Sequence, residues 1–390
     1  MFFLYIIKPF KHVKLIWFFN ERIGAVYNNE LVLRRIQLNS TGGDGIFYIG
    51  LASTNPANQQ LEKMYRRKLP IIHVPGLRAV TSPIGSEASG PVVEKKSIIA
   101  KSPFYQQIST DIWRDEYYDF NRGKSSLSFT EREEEEGKEL LAQLGISDKD
   151  WFICFHSRDA TYLSNLTKGD KAFRLRVGGF QDYRDSNIED YLEAAKYIVS
   201  CGGFTIRMGY DVARKLPDLD NPRIIDYATN HRSDFGDIYL SARCKFFLGS
   251  SAGLYSVPTI FGVPVACANY APLEGTPWRE GDLFIPKKLW SIEKKRHLTF
   301  PEILGSEMGH YFDSEPYARA GLELVENTPE EILDLAKEMN ERLNGTFEYT
   351  EEDEELQNRY QSLFQPRHRC YGTPARIGTE FLRQNRELLE

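Results

Sequence analysis

One stretch constrains the fold more than any other: Phe246 to Ala268, FFLGSSAGLYSVPTIFGVPVACA. An apolar run, Phe246-Phe247-Leu248, reads as a buried strand. The small residues Gly249-Ser250-Ser251-Ala252-Gly253 follow, then a short helical piece ending near Phe261-Gly262. A second apolar run, Val263 to Ala268, reads as the next parallel strand. A strand–turn–helix–strand unit of this kind belongs to an open α/β sheet, and such sheets bind ligands at the carboxyl ends of their strands. Small residues there let backbone N–H groups and two hydroxyls approach a phosphate closely. The turn is therefore expected to hold the diphosphate of a nucleotide-linked donor. Pro258 leaves two starts open for the helix: at the proline itself, or at Ala252 with a bend.

The pattern repeats on both sides of this stretch. Val13 to Phe19, Ile46 to Ile49 and Pro70 to Val74 read as strands separated by helices over Tyr27–Ile36 and Asn55–Lys68. After a turn-rich stretch, 80–125, expected to be a long loop, and a charged helix from Phe129 to Leu144, the order restarts. Trp151 to Phe155, Phe204 to Arg207 and Arg223 to Tyr227 read as strands, with an amphipathic helix over Ile188–Ser200. The expected organisation has three parts. Residues 1–148 form an acceptor-side Rossmann-like domain, and 149–348 a nucleotide-sugar-binding Rossmann-like domain. Residues 349–390 form a helical segment placed as a crossing back to the first domain. The chain of 390 residues is long enough for two such domains. Glu133 to Glu136 read as a solvated helix face.

Composition narrows the function classes. A net charge of −6, from 49 basic and 55 acidic residues, argues against a nucleic-acid binder working through a general basic surface. Five cysteines without CxxC spacing read as reduced core residues of a cytoplasmic protein, and no zinc pattern exists. The N-terminal run MFFLYIIKPF is broken by Lys8 and Pro9, too short to span a bilayer. It reads as a strand or a flexible end. Its functional reading is peripheral contact with the inner face of a membrane, helped by Lys8, Lys11 and Lys14. The chain has no GxGxxG opening a βαβ unit, no GxxxxGK[ST] and no GxSxG. No DxD dyad ends a strand, so no metal is expected.

Candidate chemistry clusters at the predicted strand ends. His156, Arg158 and Asp159 follow the first strand of the second half, where an arginine fork can meet phosphate oxygens and a histidine can donate to a leaving phosphate. The plainer alternative is a polar strand end with an Arg158–Asp159 salt bridge. Arg184 and Arg207, the latter beside Gly209, are further arginines at this rim, and three together make an anion signal. Tyr183 and Tyr270 are candidates to stack on a base or sugar, or plain wall packing. Asp226, Ser233 and Asp234 are candidates for ribose or base contact, with helix capping as the alternative for Ser233 and Asp234. Gly249, Ser250, Ser251, Ala252, Gly253 and Asn269 complete the donor-side set. Asn20, Arg22 and Gly24 make the acceptor side, and Glu21 joins Asp159 as a candidate base.

At HSRD, YRDSNIEDY, IRMG, SDFGDIYLSARCKFFLGSSAG and FGVPV the chain resembles a family of bacterial glycosyltransferases found among surface-polysaccharide genes. It is more distantly similar to the GT-B superfamily that includes the GDP-fucose-dependent transferases. The close resemblance covers roughly residues 150–345, with NERIGAVYNNELVLRR in support and AGLELVENTPEEILDLAKEMNERLNG similar to the end of many GT-B domains. It implies a GT-B fold, two Rossmann-like doubly wound domains facing across a cleft, and donor binding by Arg158, Ser250 and Ser251. The fucosyltransferases carry an HxRxGD-like motif. Here His156 and Arg158 match its start, but Asp159 follows the arginine directly and the Gly-Asp part is absent. The expected activity is metal-independent, inverting transfer of a sugar from a GDP-, UDP- or dTDP-linked donor to a glycan, lipid-linked or protein acceptor, with no permanently bound cofactor. A nucleotide-sugar epimerase, a pyruvyl transferase, or a non-catalytic nucleotide- or sugar-binding protein are the alternatives.

Overall fold

The computed structural model describes residues 6, 12–39, 46–74, 103–106, 118, 120–161, 165, 181–275, 277 and 279–390. The N-terminal end, the turn Gly42 to Gly45, most of the expected 80–125 loop and most of the polar segment 160–182 lie outside the described residues.

The molecule is α/β, with two parallel sheets. The larger contains β4 (Phe152–Phe155), β5 (Phe204–Arg207), β6 (Ile224–Ile225), β7 (Phe247–Gly249), β8 (Val265–Tyr270), β9 (Leu283–Pro286) and β13 (Arg376–Ile377). They lie in the order β6-β5-β4-β7-β8-β9-β13, and every pairing is parallel. β4, β5, β7, β8 and β9 are buried along their whole length. That is why they read as unbroken apolar runs: a parallel sheet is covered on both faces. The chain winds outward from β4 to β6, then returns to add β7 on the other side. This reversal makes the sheet doubly wound, with its switch point between β4 and β7. A small antiparallel sheet of β10 (Lys288–Ser291), β11 (Arg296–His297) and β12 (Leu322–Val325) flanks it. The sequence reading did not anticipate β9 to β13.

The N-terminal sheet is smaller. β1 (His12–Trp17), β2 (Ile46–Ala52) and β3 (Ile71–His73) pair in parallel, in that order. Tyr105 bridges to Leu15 on the far side of β1. Among the described residues this is three strands and one bridge, less than a full doubly wound unit.

The helices that bear on the packing are α1 (Tyr27–Asn39), α2 (Gln59–Arg66), α3 (Glu131–Gln143), α4 (Leu192–Ser200), α5 (Asp234–Arg243), α6 (Ser256–Phe261), α7 (Pro329–Asn344), α8 (Glu351–Ser362) and α9 (Thr379–Gln384), with three short ones besides at Tyr227–Asn230, Phe300–Leu304 and Ser314–Arg319. Thr130, Thr328 and Thr350 begin α3, α7 and α8 with reciprocal capping boxes. α6 starts at neither of its two expected residues. Gly253–Tyr255 forms a 3-10 turn, α6 begins at Ser256 with Pro258 in its first turn, and Gly262 at φ +85° ends it. A left-handed residue there favours glycine.

The structure bears on the organisation in two ways. Among the described residues the last segment packs with the second half. β13 pairs with β9, and Leu356, Tyr360, Phe381, Leu382 and Leu388 join the core of the large sheet. The two halves are also in direct contact. Ile16, Phe18, Val26, Leu61, Met64 and Tyr65 form one buried cluster with Ile238 of α5 and with Val257 and Ile260 of α6. The small sheet buries its apolar face against helices of the large one.

Polar struts cross the same boundary. Arg34 is buried, pairs with Glu30 at 2.7 Å, and donates to Phe120 O at 2.7 Å and to Ile260 O at 3.0 Å. The last of these satisfies an orphan carbonyl at the end of α6. Glu133 is buried, not solvated: Gln60 and Arg67 donate to it at 2.8 and 2.9 Å, and Lys63 lies at 3.2 Å. Its neighbour Glu134 takes Arg243 of α5. Glu133 thus ties α3 to α2 within the N-terminal half, and Glu134 ties α3 to the other half. Cys201 is exposed, unlike the other four cysteines. Among the described residues no helix is long and apolar enough to cross a membrane.

Candidate functional site

The switch point places three segments side by side. His156 continues β4, its N–H donating to Leu248 O at 2.9 Å, and the Arg158 N–H donates to Ser250 Oγ at 3.1 Å. The loop after β4 is thus laid against the turn after β7. The third segment is Tyr183–Ser186. Ser157 Oγ donates to Ser186 O, the Ser186 N–H donates to Arg158 O at 3.0 Å, and the Arg158 guanidinium pairs with the Asp185 carboxylate. Arg184 reaches the turn itself and donates to Ser251 O at 3.2 Å. Ser250 and Ser251 are buried, and Ser251 Oγ accepts the Ala271 N–H at 3.4 Å. Arg158, Arg184, Ser250 and Ser251 therefore meet, from three separate stretches of chain.

Burial pushes the pKa of His156 down to about 4, with the Arg207 and Arg158 charges in the same direction, against the Met208 carbonyl and Asp159. The ring is neutral at neutral pH. Its Nδ1 lies 3.0 Å from Met208 O, so Nδ1 carries the proton and Nε2 is an acceptor. A neutral ring in this tautomer orients the loop and has no second proton to give a phosphate. Gly209 stands close by: a Cβ there would meet Val212 at 2.6 Å and the His156 Nδ1 at 3.8 Å.

Other predicted residues are engaged elsewhere. Asp159 does not pair with Arg158; its two oxygens accept the N–H groups of Thr161 at 2.8 Å and Ala213 at 3.0 Å. It staples two loops. Arg207 is buried and pairs with Asp226 at 3.0 Å, while Asp226 also accepts from Leu216 N and Thr229 Oγ1. This pair closes the β5–β6 end of the sheet. Ser233 caps α5, and Asp234 accepts from Arg232 at 2.6 Å and from the Gln59 N–H at 2.8 Å. Here the capping alternative describes the geometry. Tyr183 is buried with its ring 5.7 Å from Tyr317, and Tyr270 is buried against Phe284 at 5.8 Å. Both pack the wall and present no face for stacking. Asn269, at φ +52°, exchanges backbone-to-side-chain bonds with Asn327.

On the acceptor side, Asn20 closes the end of β1. Its Nδ2 donates to Ser53 O at 2.8 Å and to Glu62 at 2.9 Å. The loop beyond it touches the donor turn: a Cβ on Gly24 would lie 2.7 Å from Gly253 Cα, and a Cβ on Gly253 2.8 Å from Gly24 Cα. Only glycines allow backbones this close. Glu21 and Arg22, both half-buried, stand on this loop.

Two residues of the crevice escaped the sequence reading. Asp185 stands just before the predicted helix over Ile188–Ser200, where an aspartate is expected to cap, yet Asn187 takes that role. Lys287 stands directly after β9 and donates to Asp185 O at 2.5 Å. The available signal was the apolar run Leu283–Pro286 ending in two lysines. Among the described residues, no group of three His, Cys, Asp or Glu is arranged to hold a metal ion.

No protein-family model matches the chain, and no curated protein matches it. Among solved structures it has a remote likeness to a glycosyl transferase family 9 protein from Veillonella parvula, at 12% identity and a TM-score of 0.37 over 66% of this chain and 80% of that one. The ADP-heptose lipopolysaccharide heptosyltransferase II of E. coli is similar at 13% identity and a TM-score of 0.36, over 65% and 84% of the two chains. E. coli heptosyltransferase WaaC with ADP is similar at 11% and 0.37, over 70% and 91%. Likeness at this level assigns neither family nor activity.

Proposed function

We propose that this chain is a glycosyltransferase that takes a sugar from a nucleotide-diphosphate sugar and passes it to a hydroxyl of a glycan, lipid-linked or protein acceptor. The observation that carries the reading is the convergence of Arg158, Arg184 and the Ser250–Ser251 turn at the β4/β7 switch point, where doubly wound sheets take their ligands. An anion entering there competes with Asp185 for the Arg158 guanidinium.

The reaction is a displacement without a resident metal. The acceptor oxygen bonds to the anomeric carbon as the bond from that carbon to the diphosphate oxygen breaks. The diphosphate leaves with the electron pair, and Arg158, Arg184 and the turn's N–H groups offset its charge. The acceptor proton goes to a carboxylate. Glu21 is the assignment because it stands on the loop whose Gly24 meets Gly253, while both Asp159 oxygens accept N–H groups of other loops. Attack on the face of the anomeric carbon opposite the leaving group gives inversion.

A thermal-shift series with UDP, GDP, ADP, CMP and dTDP tests the site. One of them is expected to raise the melting temperature clearly. In Arg158→Ala, affinity for that nucleotide should fall by about 10–100-fold, the worth of a hydrogen bond to a charged group. Undiminished turnover of the matching sugar donor by a folded Arg158→Ala protein overturns the assignment.

A further inference from the structure

The crevice holds one more cation than this mechanism uses. Lys287 follows β9 at the carboxyl edge of the sheet, and its side chain is 4% exposed. Its N–H donates to Tyr270 O at 3.0 Å, which pins it to the end of β8. Its Nζ donates to Asp185 O at 2.5 Å, while the Asp185 carboxylate holds Arg158. β9 and β4 are three strand spacings apart, about 14 Å, with β8 and β7 between them. Lys287 and Arg158 thus arrive from opposite sides of β7 and β8 and meet on one residue, Asp185.

A buried ammonium is costly unless an anion faces it. Asp185 offers Lys287 a carbonyl, its carboxylate being turned to Arg158. Among the described residues the carboxylate nearest Lys287 is Glu326, 4.0 Å away and 41% exposed, and it also accepts the Asn187 N–H. The remaining surroundings are Tyr270, Tyr317 and Lys288 among the apolar walls of a narrow cavity.

We propose that Lys287 is a donor-site residue whose ammonium binds the terminal phosphate of a nucleoside diphosphate seated at the switch point. The inference rests on the proposed function and adds a specific contact to it. Burial pushes the Lys287 pKa down to about 8, Arg158 adding to this against Glu326, so a phosphate beside it stabilises the protonated form. A lysine that only braces the Asp185 loop would leave diphosphate and monophosphate binding equally affected by its removal.

Calorimetric titration of the full chain with UDP, GDP, ADP and dTDP and with the matching monophosphates, at about pH 7.5 and about pH 9.5, tests this. For the nucleotide that binds, the diphosphate should bind roughly tenfold or more tighter than the monophosphate at the lower pH, and this advantage should shrink about tenfold at the higher pH. Lys287→Met should lose the advantage at both pH values. Lys287→Arg, which keeps its charge throughout, should hold it at both. A folded Lys287→Met protein that retains the advantage and its pH dependence overturns the inference and leaves the proposed function standing. If the methionine variant does not fold, a decline of wild-type size in Lys287→Arg overturns it equally. Failure of wild-type protein to bind any of the diphosphates overturns the proposed function and this inference together.

Discussion

The two parallel sheets solve the same packing problem differently. The seven-stranded sheet is self-sufficient: helices α4 and α7 and the C-terminal segment cover it, and its core draws on residues 144–389. The three-stranded sheet is not. Its buried cluster is completed by Ile238, Val257 and Ile260 from the other half, and its helix α1 reaches α6 through Arg34. A small sheet buries too little surface to stand alone. The lesson is functional as well as structural: the elements that complete the small core, α5 and α6, frame the donor turn. Gly24 meets Gly253 because the acceptor-side loop has been folded onto the donor-side one.

The largest break in this comparison should come from Arg34→Met. It strands the buried Glu30, whose carboxyl burial already pushes up in pKa against the pull of Arg34. Removing one partner of a buried pair costs about 3–5 kcal/mol. Urea unfolding followed by hydrogen exchange should show protection lost over β1–β3 and kept over β4–β9. Uniform loss would mean the halves unfold as one unit.

A smaller effect is expected from Gly253→Ala. Its methyl would stand 2.8 Å from the Gly24 backbone, which has no side chain to move aside. Overpacking of this kind costs about 1–3 kcal/mol. Because the contact joins the two loops of the site, acceptor KM should rise with it. An unchanged KM would show that the contact is mere packing.

The smallest is Glu133→Gln, at about 1 kcal/mol near neutral pH. Burial pushes the Glu133 pKa up, but Arg67, the Thr130 N–H, Gln60 and Lys63 outweigh it and hold the carboxyl at about 2. A depressed folded-state pKa gives stability that is present above the unfolded value and lost as pH falls through the folded one. Wild-type protein should therefore lose this increment between about pH 4.5 and pH 2, and the glutamine variant should lack that step. Denaturant midpoints across that range measure it. Parallel curves would remove Glu133 from the contact with α2.

How much of this was legible beforehand depended on the kind of signal. Strands β4, β5, β7 and β8 were readable because both faces are buried, so the residues themselves are unbroken apolar runs. β9 and β13 were not. β9 lies in a segment without a clear helix to set it off, and β13 is two residues long. The turn Gly249 to Gly253 and the arginines 158 and 184 were visible as residue types at strand ends. Their partners were not visible, because Asp185, Ser250 and Ser251 are brought together by the sheet order. The same blindness hid the partners of Arg207 and Asp159, which are Asp226 and two loop N–H groups. Residue type shows that a charge must be satisfied, and only packing shows by whom.

The sequence by itself determined the alternation of strand and helix, the capped helix starts at Thr130, Thr328 and Thr350, and the small-residue turn after β7. These are local properties, written in residue periodicity and in side chains that reach three positions along the chain. The tertiary structure alone decided that β4 and β7 are neighbours and that Lys287 and Arg158 meet on Asp185. It also decided that a glutamate inside an apparently solvated run is buried against α2, and that the last forty residues complete the large sheet. Each of these depends on which surfaces exclude water together, a property of the whole chain.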